Sequence, residues 1–366
     1  MTVPITINGR FMTRQATGVD RFAFELLKAW WPQFGRGRSA AVAMPELRAD
    51  GVARAQKELG LDIPAIVDRR FGGHAWEQFR LPFLRRDSVL LNLCNSAPLA
   101  RARQLVVLHD AGVLATPASY SFAYRNWHRV LMAGIMKRAD VVVAVSKFSA
   151  SDLARRIGGR RKQIEVVYEG GEHVLREPAD TGVLRRLNLD GQRYVLAVGS
   201  SNPNKNLISI IHSLELLKDL DIKLVAVGGM NRRVFGDLPD GVASLVAAGY
   251  VSDAELRALY EGAECFVFPS FYEGFGLPPL EAMHCGCPVI TSNRASMPEV
   301  CGDAVIYCNP DDPADIAKQI RRVLESAGLR QELREAGHLR TRQFSWSLAA
   351  MQFEAVLGAN FSASVG

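Results

Sequence analysis

Two glutamates separated by seven residues, Glu273 and Glu281, bracket the stretch EGFGLPPLE (273–281). The run CFVFPS (265–270) ahead of it reads as a strand, and a helix should begin near Pro278, since proline is tolerated in a first helical turn. Gly286 suits the end of that helix, and PVITS (288–292) opens the next strand. The amides of Gly274, Phe275, Gly276 and Leu277 can then converge at a helix N-terminus, where N–H groups and the positive dipole end favour phosphate. A carboxylate at each flank would repel phosphate oxygens, so these glutamates should grip hydrogen-bond donors such as sugar and ribose hydroxyls. A nucleoside diphosphate sugar has all these parts, with Glu281 on the ribose and Glu273 on the transferred sugar. The structural alternative is that Glu281 merely complements the helix dipole and Glu273 is solvated.

The elements needed to position such a loop recur along the chain. Apolar runs at 3–7, 40–44, 88–93, 104–110, 140–146 and 164–170 read as strands; after residue 180 the series restarts at 193–200, 223–229, 245–251, 265–270, 287–292 and 304–309. Continuous Val/Ile/Leu runs suit strands covered on both faces. Helical patterns lie between them, among them 18–30, 206–219, 253–263 and 312–327. The fold class expected is therefore α/β, with two Rossmann-like, doubly wound parallel-sheet domains in tandem, facing across a cleft. The boundaries are 1–178 and 179–342, with a polar linker over 173–192. Residues 343–366 form a last helix that could cap either domain. Functional residues should follow strands directly, because parallel sheets bind ligands beyond their carboxyl ends.

Composition sets the bounds. A chain of 366 residues suits two domains. Its first residues, MTVPITINGR, do not read as a signal peptide, and no apolar run approaches bilayer length. Six cysteines without paired spacing suggest reduced thiols and a cytoplasmic setting; the Cys285–Cys287 pair lacks a second pair for zinc, so no metal is expected. Residues 1–178 hold 27 Lys and Arg against 16 Asp and Glu, a charge of +11; residues 179–366 carry −5, which together give the chain's +6. The basic half includes RRFGGHAWEQFRLPFLRR (69–86), compatible with an anionic membrane surface, a polyanionic acceptor, or a merely solvated face. Without a recognisable binding motif, nucleic acid is not expected as a partner.

E-G-F-G-L-P-x-L-E-A-M-x-x-G-x-P-V, from Glu273 to Val289, resembles the E-x7-E signature of the retaining GT-B glycosyltransferases of family 4, and SNRASMPEVCGDAVIYCNPDD (292–312) continues the likeness. The similarity runs almost the length of the chain and is strongest over 190–325. It implies that AVGSSNPNKNLISII (197–211) is the first loop of the nucleotide domain, with Lys205 on the diphosphate and Ser200 in the binding loop. Many relatives add an arginine there; here Ser200 and Asn204 stand in the candidate positions. The resemblance further implies His109, directly after a strand, against the donor sugar; Gly18 where backbone approaches donor phosphate or acceptor; and Val251 near the base. Ser146 and Lys147 would face the acceptor, with Ser149 as an alternative helix cap.

The reaction so implied moves a sugar from a nucleotide donor to an acceptor hydroxyl with retention. The catalytic set is His109, Glu273 and Lys205, and no cofactor or metal is needed. DLD (219–221) reads as a surface turn. The loop style is similar to that of bacterial polysaccharide mannosyltransferases, which points first to GDP-mannose; UDP-glucose, UDP-N-acetylglucosamine and dTDP-rhamnose stay open. The acceptor expected is a growing glycan, carried on a lipid pyrophosphate at the inner face of the cytoplasmic membrane. A glycoside hydrolase would also use two carboxylates, but would not bind a nucleoside diphosphate. A non-catalytic nucleotide-sugar sensor would bind without turnover. A dehydrogenase would need a G-x-G-x-x-G after a strand, which is absent.

Overall fold

The computed structural model describes residues 3–14, 17–45, 60–158, 163–199, 202–229 and 245–361. They form two compact units: one holds the chain up to Glu169 together with the segment from Trp346 onward, the other holds Gly170–Ser345.

The first unit is built on seven parallel strands, β1 (Ile5–Asn8), β2 (Ala40–Pro45), β3 (Ala65–Asp68), β4 (Val89–Asn92), β5 (Gln104–Leu108), β6 (Val141–Ala144) and β7 (Glu165–Val166), in the order β3-β2-β1-β4-β5-β6-β7. Every residue of β1, β2, β4, β5 and β6 is buried, which is why these strands read as unbroken apolar runs. β3 lies at an edge with only Asp68 buried, and the sequence pattern missed it for that reason. On one face Val106, Leu108 and Val142 pack against Leu131, Ile135 and Met136 of the Phe122–Arg138 helix.

The last helix, Trp346–Asn360, belongs to this unit. Trp30, at the end of the Gly18–Trp30 helix, meets Phe353 edge-on at 5.8 Å and donates its indole N–H to Glu354 at 2.9 Å. Arg38 pairs with the same carboxylate, and the Tyr168 amide donates to Gln352. An amphipathic ring that also finds a partner for its N–H makes a strong anchor, so truncating Trp30 would cost about 3–5 kcal/mol.

The second unit holds six parallel strands: β8 (Tyr194–Val198), β9 (Lys223–Val227), β10 (Leu245–Gly249), β11 (Cys265–Phe268), β12 (Val289–Ser292) and β13 (Ile306–Cys308), ordered β10-β9-β8-β11-β12-β13. This is the doubly wound order, and its direction reverses between β8 and β11. Those two strands pair Cys265 with Val195 and Phe266 with Leu196. Ile210, Ile211 and Leu214 of the Leu207–Glu215 helix and Ile316, Ile320 and Val323 of the Pro313–Glu325 helix cover one face.

The units divide at Glu169–Gly170, nine residues before the boundary expected from the sequence. The polar 173–192 stretch is not a free linker but is fastened to the second unit. The Asp180 amide donates to Ala254 at 2.9 Å, and Arg257 donates to the carbonyls of Leu175 and Glu177. Polar composition disguised it, because the bonds holding it are made to residues 74–82 positions away.

Candidate active site

The loop after β8 begins at Gly199, held at φ +87°, a left-handed conformation that glycine adopts without strain. A side chain there would come within 3.2–3.5 Å of the Lys205 stem, so the bare backbone gives that stem its path. The turn Pro203–Lys205 starts where the Asn202 side chain accepts from the Asn204 amide, and Asn206 ends it at φ +57°. The Asn204 carbonyl accepts from the Phe271 amide and faces the Ser270 hydroxyl, both at 2.9 Å, which ties the loop after β8 to the loop after β11. Ser200 lies outside the described residues.

At that join the Lys205 ammonium reaches Glu273 Oε1 at 2.7 Å and lies 4.8 Å from the Phe268 ring centroid. The Ser270 hydroxyl lies between this carboxylate oxygen and the Asn204 carbonyl and can give its one proton to either. Both side chains keep some solvent access, at 21 % for Lys205 and 14 % for Glu273, so the ion pair itself is worth on the order of 1 kcal/mol. It sits beyond the carboxyl ends of β8 and β11, where the strand order reverses and α/β sheets take their ligands. The Ser296 hydroxyl, after β12, lies 2.7 Å from the Phe275 carbonyl and 2.9 Å from that of Glu273, so its one proton is available to either and ties down the loop between them.

The following helix is Leu277–His284, with Gly276 as its N-cap at φ +111°. A Cβ on Gly276 would lie 2.2 Å from Met297 Cε, so glycine is required twice over. Pro278 and Pro279 carry no amide hydrogen, so the first turn of this helix has fewer N–H groups to satisfy, and its start is set by Gly276 and Leu277.

Glu281 is 94 % buried, one turn into the helix. Its Oε1 faces His173 Nε2 at 2.9 Å, and its Oε2 accepts from the Tyr260 hydroxyl at 3.3 Å. Burial, and then Glu281, hold the Tyr260 hydroxyl well above the usual phenol range, so it stays a donor. Neither partner was legible in the sequence, since His173 is 108 positions away and sits in the supposed linker. A carboxylate has about four lone-pair sites, so two bonds leave acceptor capacity for further donors.

In the first unit, His109 follows β5 directly and is 96 % buried. Its Nε2 lies 2.9 Å from the Leu93 carbonyl and its Nδ1 3.4 Å from Glu169. Burial alone would lower its pKa, but the bond and charge of Glu169, helped by Leu93, outweigh burial and raise it. Phe22 meets the ring edge-on at 4.9 Å. Both ring nitrogens therefore have protein partners.

Gly18 opens its helix with nothing among the described residues within 4 Å of where a side chain would be. Ser146, not Ser149, caps the Lys147–Ile157 helix, accepting from the Ser149 amide; Ser149 instead donates to the His109 carbonyl at 2.7 Å. The difference follows from Ser146 leaving β6 in extended backbone, as an N-cap must. Val251 lies half-buried between β10 and the Asp253–Gly262 helix. Asp219 of the DLD turn is gripped by both terminal nitrogens of Arg321 at 2.7 Å.

A lysine and a carboxylate that meet beside a glycine-capped helix start, at the switch point of a doubly wound sheet, mark the candidate site of a two-sheet fold of the GT-B class. Residues 184–340 match the family described as Glycosyl transferases group 1. The chain is 31 % identical over 261 residues to the O-antigen chain mannosyltransferase B of Escherichia coli, covering 68 % of each. It is 30 % identical over 237 residues to the O-antigen chain mannosyltransferase RfbU of Salmonella typhimurium, covering 63 % of each. Among solved structures, Anabaena HepE in complex with UDP and glucose superimposes with a TM-score of 0.75 at 18 % identity, over 98 % of this chain and all of that one. The chain belongs to the group 1 glycosyl transferases and is a glycosyltransferase.

Proposed function

We propose that this enzyme transfers mannose from GDP-mannose to a growing bacterial glycan carried on a lipid pyrophosphate, with retention of the anomeric configuration, as expected of family 4. The observation that carries the reading is the Lys205–Glu273 pair beside the Gly276 helix start. The names of the Escherichia coli and Salmonella typhimurium relatives favour mannose and a polysaccharide product.

In this reading the bond between the sugar C1 and the diphosphate oxygen breaks, and its electron pair leaves with the diphosphate. The Lys205 ammonium and the 274–277 amides stabilise that charge as it develops. The acceptor oxygen bonds to C1 from the face the diphosphate leaves, and its proton passes to a leaving-phosphate oxygen. No protein nucleophile and no metal is required. Glu273 holds hydroxyls of the transferred sugar and Glu281 those of the ribose, with Val251 at the base. The donor-sugar role of His109 calls for its Nε2–H to exchange the Leu93 carbonyl for a sugar hydroxyl.

Two of the cradle's flanks are acidic, which favours a transferase binding hydroxyls beside phosphate over a hydrolase. A melting screen against GDP, UDP and dTDP sugars tests the donor, because a ligand that binds only the native state raises the melting temperature. GDP-mannose should give the largest rise. The anomeric proton coupling in the product should then report retention. A flat response to every nucleotide sugar would remove the reading.

A further inference from the structure

The first sheet has a switch point of its own, between β1 and β4, where an open α/β sheet takes a ligand. There Asn8, the last residue of β1, donates to Asn92 at the end of β4 at 2.9 Å and to Glu77 at 2.8 Å. Glu77 is 99 % buried and also meets Arg10 at 3.1 Å, His74 at 3.2 Å and the Ser96 hydroxyl. Burial works against its charge, but the bonds and charge of His74, Arg10, Ser96 and Asn8 hold its pKa below the usual carboxylate range. A carboxylate fastened in this way fixes the position of Arg10 and His74. The Arg10 guanidinium, its side chain only 12 % exposed, bonds to Glu77 through Nε. Its terminal N–H groups have no protein acceptor among the described residues.

A row of aromatic rings continues from this point. His74 meets Trp127 edge-on at 5.7 Å and His128 at 5.9 Å; His128 stacks on Tyr124 at 3.8 Å, and Tyr124 on Tyr120 at 5.6 Å. Tyr120 reaches the loop after β5, since a side chain on Gly112 would come 3.2 Å from its hydroxyl and 2.9 Å from Asp110 Oδ1. The row therefore runs from the switch point to the residue beside His109. Rings at i and i+4 often pair only to stabilise their own helix. Here the Phe122–Arg138 helix meets the core through Leu131 and Ile135, while Trp127 is left 38 % exposed and Tyr124 45 %. Burial raises the Tyr124 hydroxyl above the usual phenol range against the pull of Arg14 and Arg10, so it stays a neutral donor.

Charge selects the ligand. Arg10 is balanced by Glu77, and Arg14 by the fully buried Asp20 at 2.5 Å. An anion would draw both arginines away from buried carboxylates and leave those short of a partner, which is costly. A pyranose ring matches the groups that remain, with an apolar C–H face for aromatic rings and hydroxyls for guanidinium and imidazole nitrogens. We propose that Trp127 and Tyr124, together with Arg10 and His74, form a subsite for an uncharged sugar residue of the acceptor glycan. Stacking along the row and the Glu77 anchor hold these groups in place before the sugar arrives, which lowers the entropy lost on binding. The subsite presupposes the glycan acceptor proposed above, but not the identity of the donor.

The test titrates the full chain by calorimetry with an α-linked mannose tetrasaccharide and, separately, with inorganic pyrophosphate. The wild type should bind the tetrasaccharide at millimolar concentration with no nucleotide present. Trp127→Leu keeps apolar bulk without the ring, and Arg10→Lys keeps the charge beside Glu77 without the planar fork. Each should weaken tetrasaccharide binding roughly tenfold and raise the acceptor KM in proportion, with the nucleotide-sugar melting response intact. Trp127 lies nearer the surface, so its variant carries the test if Arg10→Lys folds poorly. Equal tetrasaccharide affinity in the folded variants would overturn the proposal, as would a wild type that does not bind the tetrasaccharide. So would pyrophosphate binding that Arg10→Lys abolishes while tetrasaccharide binding stays unchanged. A chain that binds the tetrasaccharide through these residues but no nucleotide sugar would sink the donor reading alone.

Discussion

The Lys205 ammonium sits 2.7 Å from Glu273 Oε1, joining the loop after β8 to the loop after β11 at the one place in the sheet where strand order reverses. Without donor, each charge neutralises the other; with donor, the proposed reading gives the lysine to phosphate and the carboxylate to sugar hydroxyls. The two residues should then separate cleanly in experiment. Lys205→Ala should weaken binding of the nucleoside diphosphate product by roughly tenfold to a hundredfold, as loss of a charge-assisted bond does. Glu273→Gln should bind that product at least as tightly as the wild type, since a negative neighbour is gone, while turnover falls. Titration calorimetry and steady-state rates check both; parallel losses in the two variants would count against divided roles.

Gly276 faces two constraints, its φ of +111° and the 2.2 Å that a Cβ there would leave to Met297 Cε. Gly276→Ala should lower stability by about 1–3 kcal/mol from backbone strain alone, with the clash added. Met297→Ala in the same chain should relieve the clash and leave the strain, giving partial recovery in urea melts. Full recovery would mean that the left-handed backbone is not costly here. No recovery would mean that Met297 moves aside freely.

Much of this arrangement could be read beforehand because it is local. Strands buried on both faces leave unbroken apolar runs, as β8 and β11 show, and the glutamate-flanked bend announces its own helix start. What stayed hidden has no local trace. The two-faced edge strand β3 lacks the buried run, and the partners of the acidic groups, Glu169 for His109 and both His173 and Tyr260 for Glu281, come from distant segments with ordinary surroundings. The stretch taken for a linker failed the same way, since its bonds are made to side chains and carbonyls that only the fold brings near.

The His109–Glu169 contact sets a pH dependence. Burial works against the imidazolium, but Glu169 prevails and the folded pKa stands above the ordinary 6.5. The native state then binds more protons than the unfolded chain between 6.5 and the raised value. Its contribution is whole below 6.5 and is lost as pH rises through the folded pKa. Glu169→Gln should therefore melt below the wild type by the widest margin in mildly acidic buffer, with the gap narrowing toward alkaline pH. A gap that widens with pH would show that the contact does not favour the charged ring.

His284, the last residue of the Leu277–His284 helix, runs the opposite way. A helix carboxyl end favours a cation, and Glu281 pulls in the same direction. Yet burial, followed by the neighbouring His173 and His338, pushes its pKa down to about 4 from the ordinary 6.5. Its Nε2 is buried without a hydrogen-bond partner among the described residues. Protonation therefore strands a charge beside Gly171, where a side chain would come within 2.8 Å of the ring. Between pH 6.5 and 4 the unfolded chain binds the extra proton, so this group's share of stability is present above that window and drains away as pH falls through it. His284→Leu removes the titration and should gain on the wild type progressively as melts are taken from neutral pH to pH 5, with little difference at pH 8. Because the same helix carries the Gly276 start and Glu281, wild-type nucleotide binding should weaken over that window more than binding by the variant; identical acid profiles for the two proteins would overturn the assignment.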